Sequence, residues 1–314
     1  MRSRKLNLVH FFSFVALLFA ILAAVATQAA PQSPQNASST ISVLQSRAEQ
    51  GEPAAQYQYA HFLLAHNPSP ANLQTAIKLL QASAAQNNAD AEFYLGYLYE
   101  HGQFVTRDYP QALYYYEAAV QHHHSTAANN LASLYQHGLG VPKNLNTAFH
   151  WYLTAAQQGE PTAQINLASM YYLGSGTKRD YTQAVRWLRA SADSGLPAAQ
   201  DNLAYFYFYG IAVPQDYQEA ARLVRLAAAK NLPGAETNLA FLYEQGQGVP
   251  LDYVAAYTWY TRAIAAGDSS GATRLRQLTQ VMTQKQRDQA NANSIATTQS
   301  QPPTPSTTFS LLNH

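Results

Sequence analysis

The chain has 314 residues, with 19 lysines and arginines against 18 aspartates and glutamates, a formal charge of +1 and no cysteine. The balanced charge argues against nucleic acid as a partner. The lack of cysteine excludes disulfide bonds, thiolate nucleophiles and cysteine-ligated metal sites.

The first element in chain order is an N-terminal targeting segment. Three basic residues among the first five are followed by an apolar stretch over residues 11–26, which is shorter than the ~20 apolar residues that a membrane-spanning helix needs. This pattern predicts a cleavable signal peptide over residues 1–26, with an alternative cleavage site after Ala29, and a flexible linker over residues 27–40. Cleavage leaves 16 of the 19 basic residues against 18 acidic ones. We therefore expect a periplasmic or secreted protein.

Beyond the linker the sequence repeats every 36 residues without an insertion, across five units and a degenerate first unit. A fixed period of this length is the signature of stacked-repeat proteins. Four columns are constant in the five units. They are leucine (Leu95, Leu131, Leu167, Leu203, Leu239), tyrosine (Tyr99, Tyr135, Tyr171, Tyr207, Tyr243), glycine (Gly102, Gly138, Gly174, Gly210, Gly246) and aspartate or asparagine (Asp108, Asn144, Asp180, Asp216, Asp252).

These columns predict two helices in each unit. Apolar residues at helical spacing precede the glycine, which suits a left-handed C-cap, and the aspartate or asparagine then suits the N-cap of a second helix. We therefore predict an all-α solenoid of about six helix-turn-helix repeats over residues 41–267. An amphipathic helix over residues 268–290 is expected to cap the last repeat. Residues 291–314, rich in Gln, Thr, Ser and Pro, are expected to form a disordered tail.

The repeat motif identifies a family resemblance. From Ala127 to Tyr152 the sequence reads A-x-x-x-L-A-x-x-Y-x-x-G-x-G-V-P-x-N-x-x-x-A-x-x-W-Y, which resembles the Sel1-like repeat, and the resemblance extends over about residues 55–267. Sel1-like repeats are similar to tetratricopeptide repeats with a longer loop. The resemblance implies a right-handed superhelix that scaffolds protein complexes. Relatives include adaptors of endoplasmic-reticulum protein degradation and bacterial envelope or secreted proteins.

Two columns on the first helix of each repeat are candidates for ligand binding, because the tetratricopeptide analogy places the first helices on a concave face. One column is an asparagine ladder: Asn130, Asn166, Asn202 and Asn238. Its amides either bind an extended peptide backbone or bridge neighbouring repeats, and both interpretations stay open. In the second column, Tyr97, Tyr205 and Phe241 either supply aromatic area for a protein partner or serve inter-repeat packing.

No residue pattern points to a catalytic site, a resident metal or a cofactor. The run from His122 to His124 falls where a second helix ends, and adjacent side chains on a helix point apart, so we interpret it as structural. The leading hypothesis is an exported, non-catalytic scaffold that binds a peptide or protein and spans no membrane once the leader is removed. Regulation or hydrolysis of cell-wall peptidoglycan is the alternative, and an adaptor of the endoplasmic-reticulum lumen is a third possibility.

Overall fold

The computed structural model describes residues 34–66 and 68–299, and every regular element in these ranges is a helix. The all-α prediction is confirmed. The helices are α1 (Pro34–Glu49), α2 (Pro53–His66), α3 (Pro70–Ala84), α4 (Ala89–His101), α5 (Tyr109–Gln121), α6 (Ser125–His137), α7 (Leu145–Gln157), α8 (Pro161–Leu173), α9 (Tyr181–Asp193), α10 (Pro197–Tyr209), α11 (Tyr217–Ala228), α12 (Pro233–Gln245), α13 (Tyr253–Ala265), a short 3₁₀ helix (Ser269–Gly271), α14 (Ala272–Val281) and α15 (Gln284–Gln299). The predicted signal peptide lies outside the described residues, as do the linker before Pro34 and residues 300–314 of the predicted tail.

The chain divides into two compact units, one up to Gln86 and one from Asn87 onward. The first unit contains α1 and hairpin 1, formed by α2 and α3. The second contains hairpins 2 to 6, formed by α4 with α5, α6 with α7, α8 with α9, α10 with α11 and α12 with α13, and then α14 and α15. In the second unit each second helix also packs on the first helix of the next hairpin. This stacked arrangement and its 36-residue spacing confirm the predicted repeats.

The glycine column ends the first helix of every hairpin in the second unit. Each of these glycines is the C-cap residue in the left-handed conformation, with φ between 64 and 73°. Its backbone N–H donates to the carbonyl four residues earlier, for example from Gly138 to Leu134 at 2.9 Å. A side chain at such a φ is strained, which explains why glycine recurs here. The predicted C-caps are confirmed.

The aspartate or asparagine column begins the second helix and also closes the loop before it. Its side-chain oxygen accepts from a backbone N–H two or three residues later; for example, the Gln111 N–H donates to Asp108 Oδ1 at 3.0 Å. Its own backbone N–H donates to the carbonyl of the tyrosine column nine residues earlier, at 2.9 to 3.0 Å in all five hairpins. The predicted N-caps are confirmed, and the second hydrogen bond fixes the length of the loop.

In hairpins 3, 4 and 6 a second glycine in the loop lets the hairpin approach the one before it. A Cβ atom built on Gly248 would lie 1.8 Å from the carbonyl oxygen of Tyr217, and one built on Gly176 would lie 2.1 Å from that of Leu145. Hairpins 2 and 5 depart from this pattern, because Phe104 and Ala212 occupy the position with φ 64 and 57°. Ala212 borders an opening of about 410 Å³ between hairpins 4 and 5.

The structure corrects the predicted boundaries at both ends of the array. Residues 34–40, predicted as part of the linker, belong to α1, which packs on α2. The predicted closing helix over residues 268–290 is two helices, because Thr283 exchanges capping hydrogen bonds with Gln286 and starts a new helix. That helix continues through residues 291–299 of the predicted tail. Its Ala290, together with Leu278 of α14, is buried against hairpin 6.

Candidate functional site

The asparagine ladder lies on the first helices of hairpins 3 to 6, and its members differ in their partners. Asn166 donates from Nδ2 to Oδ1 of Asn129 at 3.0 Å. Asn238 donates to both carboxylate oxygens of Asp201, at 2.9 and 3.1 Å. In both cases the acceptor lies in the preceding hairpin, at the position just before the ladder. The bridging interpretation therefore holds for Asn166 and Asn238.

Asn130 belongs to a longer hydrogen-bonded network. The hydroxyl of Tyr116 donates to Glu100 at 2.5 Å and accepts from Asn130 at 3.1 Å. Asn129 donates to Asn130 at 3.1 Å and accepts from Asn166. Burial raises the pKa of Glu100 and of Tyr116. These five side chains, called the polar network, join hairpins 2, 3 and 4. The amide of Asn130 is therefore already hydrogen-bonded within the protein.

Asn202 is the ladder member that is not committed in this way. The position before the ladder in the preceding hairpin is Ile165, whose side chain offers no acceptor. No hydrogen bond of the Asn202 side chain is found among the residues that the structure describes, and the residue is partly exposed. Its amide therefore has the donor and acceptor capacity that a ligand could use.

The predicted aromatic residues fall into two separate clusters. Tyr97 stacks on His101, with ring centres 4.1 Å apart, and lies 6.3 Å from Tyr94. Tyr205 and Phe241, from hairpins 5 and 6, line one cavity instead. The structure thus brings together two of the three predicted aromatic residues.

The cavity that Tyr205 and Phe241 share is the centre of an aromatic surface. Tyr205 lies 4.6 Å from Tyr209, and Phe208 lies 4.9 Å from Tyr209 and 5.9 Å from Phe241, measured between ring centres. These rings, together with Tyr172 of hairpin 4, are called the aromatic groove below. The cavity within the groove has a volume of about 110 Å³. Its lining is apolar with a few polar groups, as in ligand sites, but its volume suits one side chain rather than a whole small molecule.

The aromatic groove occurs where a recurring hydrogen bond inside the hairpin is missing. In hairpins 2, 3 and 6 a fully buried tyrosine on the second helix donates to an acceptor on the first helix. The pairs are Tyr116 with Glu100, Tyr152 with Gln136, and Tyr260 with Glu244. In hairpins 4 and 5 the tyrosine is replaced by Leu188 and Val224, and the acceptor by Tyr172 and Phe208. A buried hydroxyl requires an acceptor. Where the tyrosine is absent, the acceptor position on the first helix is free to hold an aromatic ring.

One carboxylate lines the cavity beside the rings. Burial raises the pKa of Asp201 to about 6, and the charge of Asp268 adds to the rise, whereas the amide of Asn238 opposes it. Asp201 forms no ion pair within residues 34–66 and 68–299. A cation is present at the edge of the groove, since the guanidinium of Arg274 lies 4.5 Å from the ring centre of Phe241 and 3.4 Å from Glu244.

Asp201 and Tyr209 were not among the residues predicted from the sequence. Two signals could have found them. The position before the ladder is neutral in the neighbouring repeats, as Ile165 and Thr237, so a carboxylate there stands out. Tyr209 is 53% exposed and occupies the same column as Leu173, which is 55% exposed one hairpin earlier. Exposed large side chains in one column of neighbouring repeats are a signal for a contact surface that can be read from the sequence.

The histidine run has structural contacts, and each residue has a different one. His122 is the C-cap residue of α5, and its Nδ1 lies 2.8 Å from the buried carboxylate of Glu92. His123 adopts a left-handed conformation with φ 63°. His124 is the N-cap of α6, where its Nδ1 accepts from the Ala127 N–H at 3.1 Å. Among the described residues, no group of three or more His, Asp or Glu side chains is arranged to hold a metal ion.

Comparison with known proteins follows the same repeat boundaries. The model of the Sel1 repeat matches six consecutive segments, residues 53–88, 89–124, 125–160, 161–196, 197–232 and 233–268. A search of curated proteins found no match. None of the described helices combines the length and apolar character needed to cross a bilayer.

The solved structures that resemble the chain in sequence and fold include the following two. A protective antigen present in uropathogenic Escherichia coli strains is 27% identical with a TM-score of 0.71, over 82% of this chain and 56% of that protein. This chain therefore spans little more than half the length of that relative. A Sel1 repeat protein from Oxalobacter formigenes is 27% identical with a TM-score of 0.65, over 77% of this chain and 99% of that protein. From its six repeats and these structures, the chain is a member of the Sel1 repeat family, whose proteins are generally scaffolds for protein interactions.

Proposed function

We propose that the protein is an exported, non-catalytic scaffold that binds an extended peptide segment of a protein partner across the first helices of hairpins 4 to 6, on a concave face. The observation that carries the proposal is the aromatic groove, whose partly exposed rings line a cavity of about 110 Å³. Tyrosine and phenylalanine supply contact area at a low cost in side-chain entropy, and they are enriched at protein interfaces.

A polar side chain on the same helix as Tyr205 supports a peptide as the ligand. Asn202 has an uncommitted amide, and one amide can pair with both the N–H and the carbonyl of an extended backbone. The other three members of the ladder already bond to neighbouring hairpins or to Tyr116. The proposed contact with the peptide backbone is therefore assigned to Asn202 alone, which narrows the sequence-based prediction for the ladder.

Peptide binding is tested with a displayed random peptide library selected on the wild-type protein. We expect the double variant Tyr205→Ala/Tyr209→Ala to lose at least about tenfold in affinity for the selected peptides, because it removes two rings from the centre of the contact. Titration of fluorescent peptides measures the affinity, and circular dichroism checks that the helices are retained.

The matched control for this experiment is Tyr114→Ala, which removes a tyrosine that is 64% exposed on the second helix of hairpin 2. We expect it to leave the affinity unchanged. If the double variant binds the selected peptides as tightly as the wild type, the groove is not the peptide site and the proposal is wrong.

The proposal of export rests on the basic and apolar pattern of the first 26 residues. We expect a fusion of this segment to alkaline phosphatase to be active in bacterial cells, because the enzyme matures only after transfer across the inner membrane. The control is a fusion of the chain from Gln28 onward, which lacks this segment, and it should be inactive. Equal activity of the two fusions would overturn the assignment of a leader.

A further inference from the structure

We propose that the aromatic groove selects peptides that carry a lysine or arginine, with the basic side chain in the cavity between the rings of Tyr205, Tyr209 and Phe241 and with the carboxylate of Asp201 as its ion-pair partner. This inference rests on the proposed function and adds the class of side chain that the groove recognises.

The first support is a carboxylate that the fold does not require. Asp201 accepts a hydrogen bond from Asn238 of the next hairpin. Two hairpins earlier, Asn129 occupies the same position and accepts the same kind of bond from Asn166 at 3.0 Å. A neutral amide can therefore form the bridge between hairpins, and the bridge does not require the negative charge of Asp201. Charges that burial disfavours and packing does not need are concentrated at binding sites.

The second support is the charge balance around Asp201. In the described part of the chain no lysine, arginine or histidine forms an ion pair with it, and the charge that acts on its pKa is that of another carboxylate, Asp268. Burial raises the pKa of Asp201 to about 6, so the group is mainly ionised at neutral pH. A partly buried anion without a counterion is stabilised by a ligand that brings a positive charge.

The third support is the lining of the cavity. Faces of tyrosine and phenylalanine attract cations within about 6 Å of the ring centre. Phe241 already has such a partner on one face, the guanidinium of Arg274 at 4.5 Å, which is neutralised by Glu244. The cavity of about 110 Å³ has room for roughly four water molecules, which is the size of one side-chain end.

The test uses the full chain and two small probes that differ only in the terminal ammonium group. Nα-acetyl-lysine-N-methylamide and its norleucine analogue are titrated at about pH 8, and binding is followed by NMR of ¹³C-labelled tyrosine and phenylalanine rings. We expect the lysine probe to shift the ring signals of the groove and to bind at least about tenfold more tightly than the norleucine probe. Equal affinities would overturn the inference.

Two charge-matched variants locate the effect. Asp201→Asn should weaken the lysine probe at least about tenfold and leave the norleucine probe unchanged. Asp108→Asn removes the same charge from an N-cap in hairpin 2, a role that Asn144 already performs in hairpin 3, and should change neither affinity. Unchanged lysine binding in Asp201→Asn would also overturn the inference.

The fold of Asp201→Asn is checked by urea unfolding against pH. The raised pKa means that protonation of Asp201 contributes stability that is fully present below about pH 3.8 and is lost as the pH rises through about 6. The variant should therefore match the wild type at about pH 4 and be at least as stable as the wild type at about pH 8.

The library peptides separate this inference from the proposed function. Peptides that lose affinity in Tyr205→Ala/Tyr209→Ala but lack lysine and arginine, and bind Asp201→Asn normally, would overturn the inference and leave the proposed function standing. Peptides that are insensitive to both variants would contradict the proposed function itself.

Discussion

Gly248→Ala is expected to lower the free energy of unfolding by about 3 kcal/mol. The added Cβ would lie 1.8 Å from the carbonyl oxygen of Tyr217, which is backbone and cannot rotate away. Hairpin 6 would have to move off hairpin 5, with loss of packing between them. The backbone strain of a side chain at φ 71° adds to this cost. Urea unfolding followed by circular dichroism measures the loss.

Gly159→Ala separates the steric clash from the backbone strain. Gly159 has φ 87°, but a Cβ atom built on it meets no atom within 4 Å. We expect this variant to lose only about 1 kcal/mol, the cost of an alanine in the left-handed region. Equal losses in the two variants would show that strain, rather than close approach, explains the second glycine of the loop.

Arg262→Met is expected to destabilise the protein by about 3 kcal/mol at about pH 8. The Nε of Arg262 lies 2.7 Å from Oε1 of Glu236, whose side chain is only 1% exposed. Burial already raises the pKa of Glu236 in the presence of the arginine, which opposes the rise. The variant leaves a buried carboxylate without a counterion, and that is more costly than the absence of both charges.

The loss in Arg262→Met should depend on pH. Without Arg262 the pKa of Glu236 in the folded state lies further above its ordinary value of 4.5. Protonation then contributes stability that is fully present below about pH 4.5 and lost as the pH rises through the folded-state pKa. The difference from the wild type should therefore be largest near pH 8 and shrink toward about pH 4.5, as measured by urea unfolding across this range.

The chain itself supplies a rescue variant for this prediction. Gln164 and Gln200 occupy the position of Glu236 in hairpins 4 and 5, and each donates from Nε2 to the carbonyl eight residues earlier, at 3.2 and 3.4 Å. Glu236→Gln/Arg262→Met should therefore recover to within about 1 kcal/mol of the wild type. If the double variant is as unstable as the single one, the lost packing of Arg262 on Trp259, rather than the buried charge, causes the effect.

Features determined within a few neighbouring residues were predictable from the sequence. A left-handed glycine such as Gly138 and an N-cap such as Asn144 depend on the local backbone alone, and the structure contains both where they were predicted. The closing segment shows the limit of that approach. Its apolar spacing indicated one helix, but the exchange of hydrogen bonds between Thr283 and Gln286 begins a second helix.

The site was harder to predict because it depends on pairs of distant columns. For two members of the ladder the residue 37 positions earlier decides whether the amide has a partner, Asn129 for Asn166 and Ile165 for Asn202. The aromatic groove depends on two columns that are 16 positions apart, as with Tyr152 and Gln136 where the hydrogen bond is kept. Columns considered one at a time do not reveal either relation, so the ladder was predicted as four equivalent residues.

The exchange of a buried tyrosine and its acceptor for an aliphatic residue and an aromatic ring has a consequence for how such a protein evolves. Both members of the pair, for example Val224 and Phe208, lie within one 36-residue repeat. Duplication of the DNA that encodes hairpin 5 would therefore copy both at once. The new repeat would never place a buried hydroxyl without an acceptor. An array of this kind can lengthen its binding surface one gene segment at a time, without compensating mutations elsewhere in the gene.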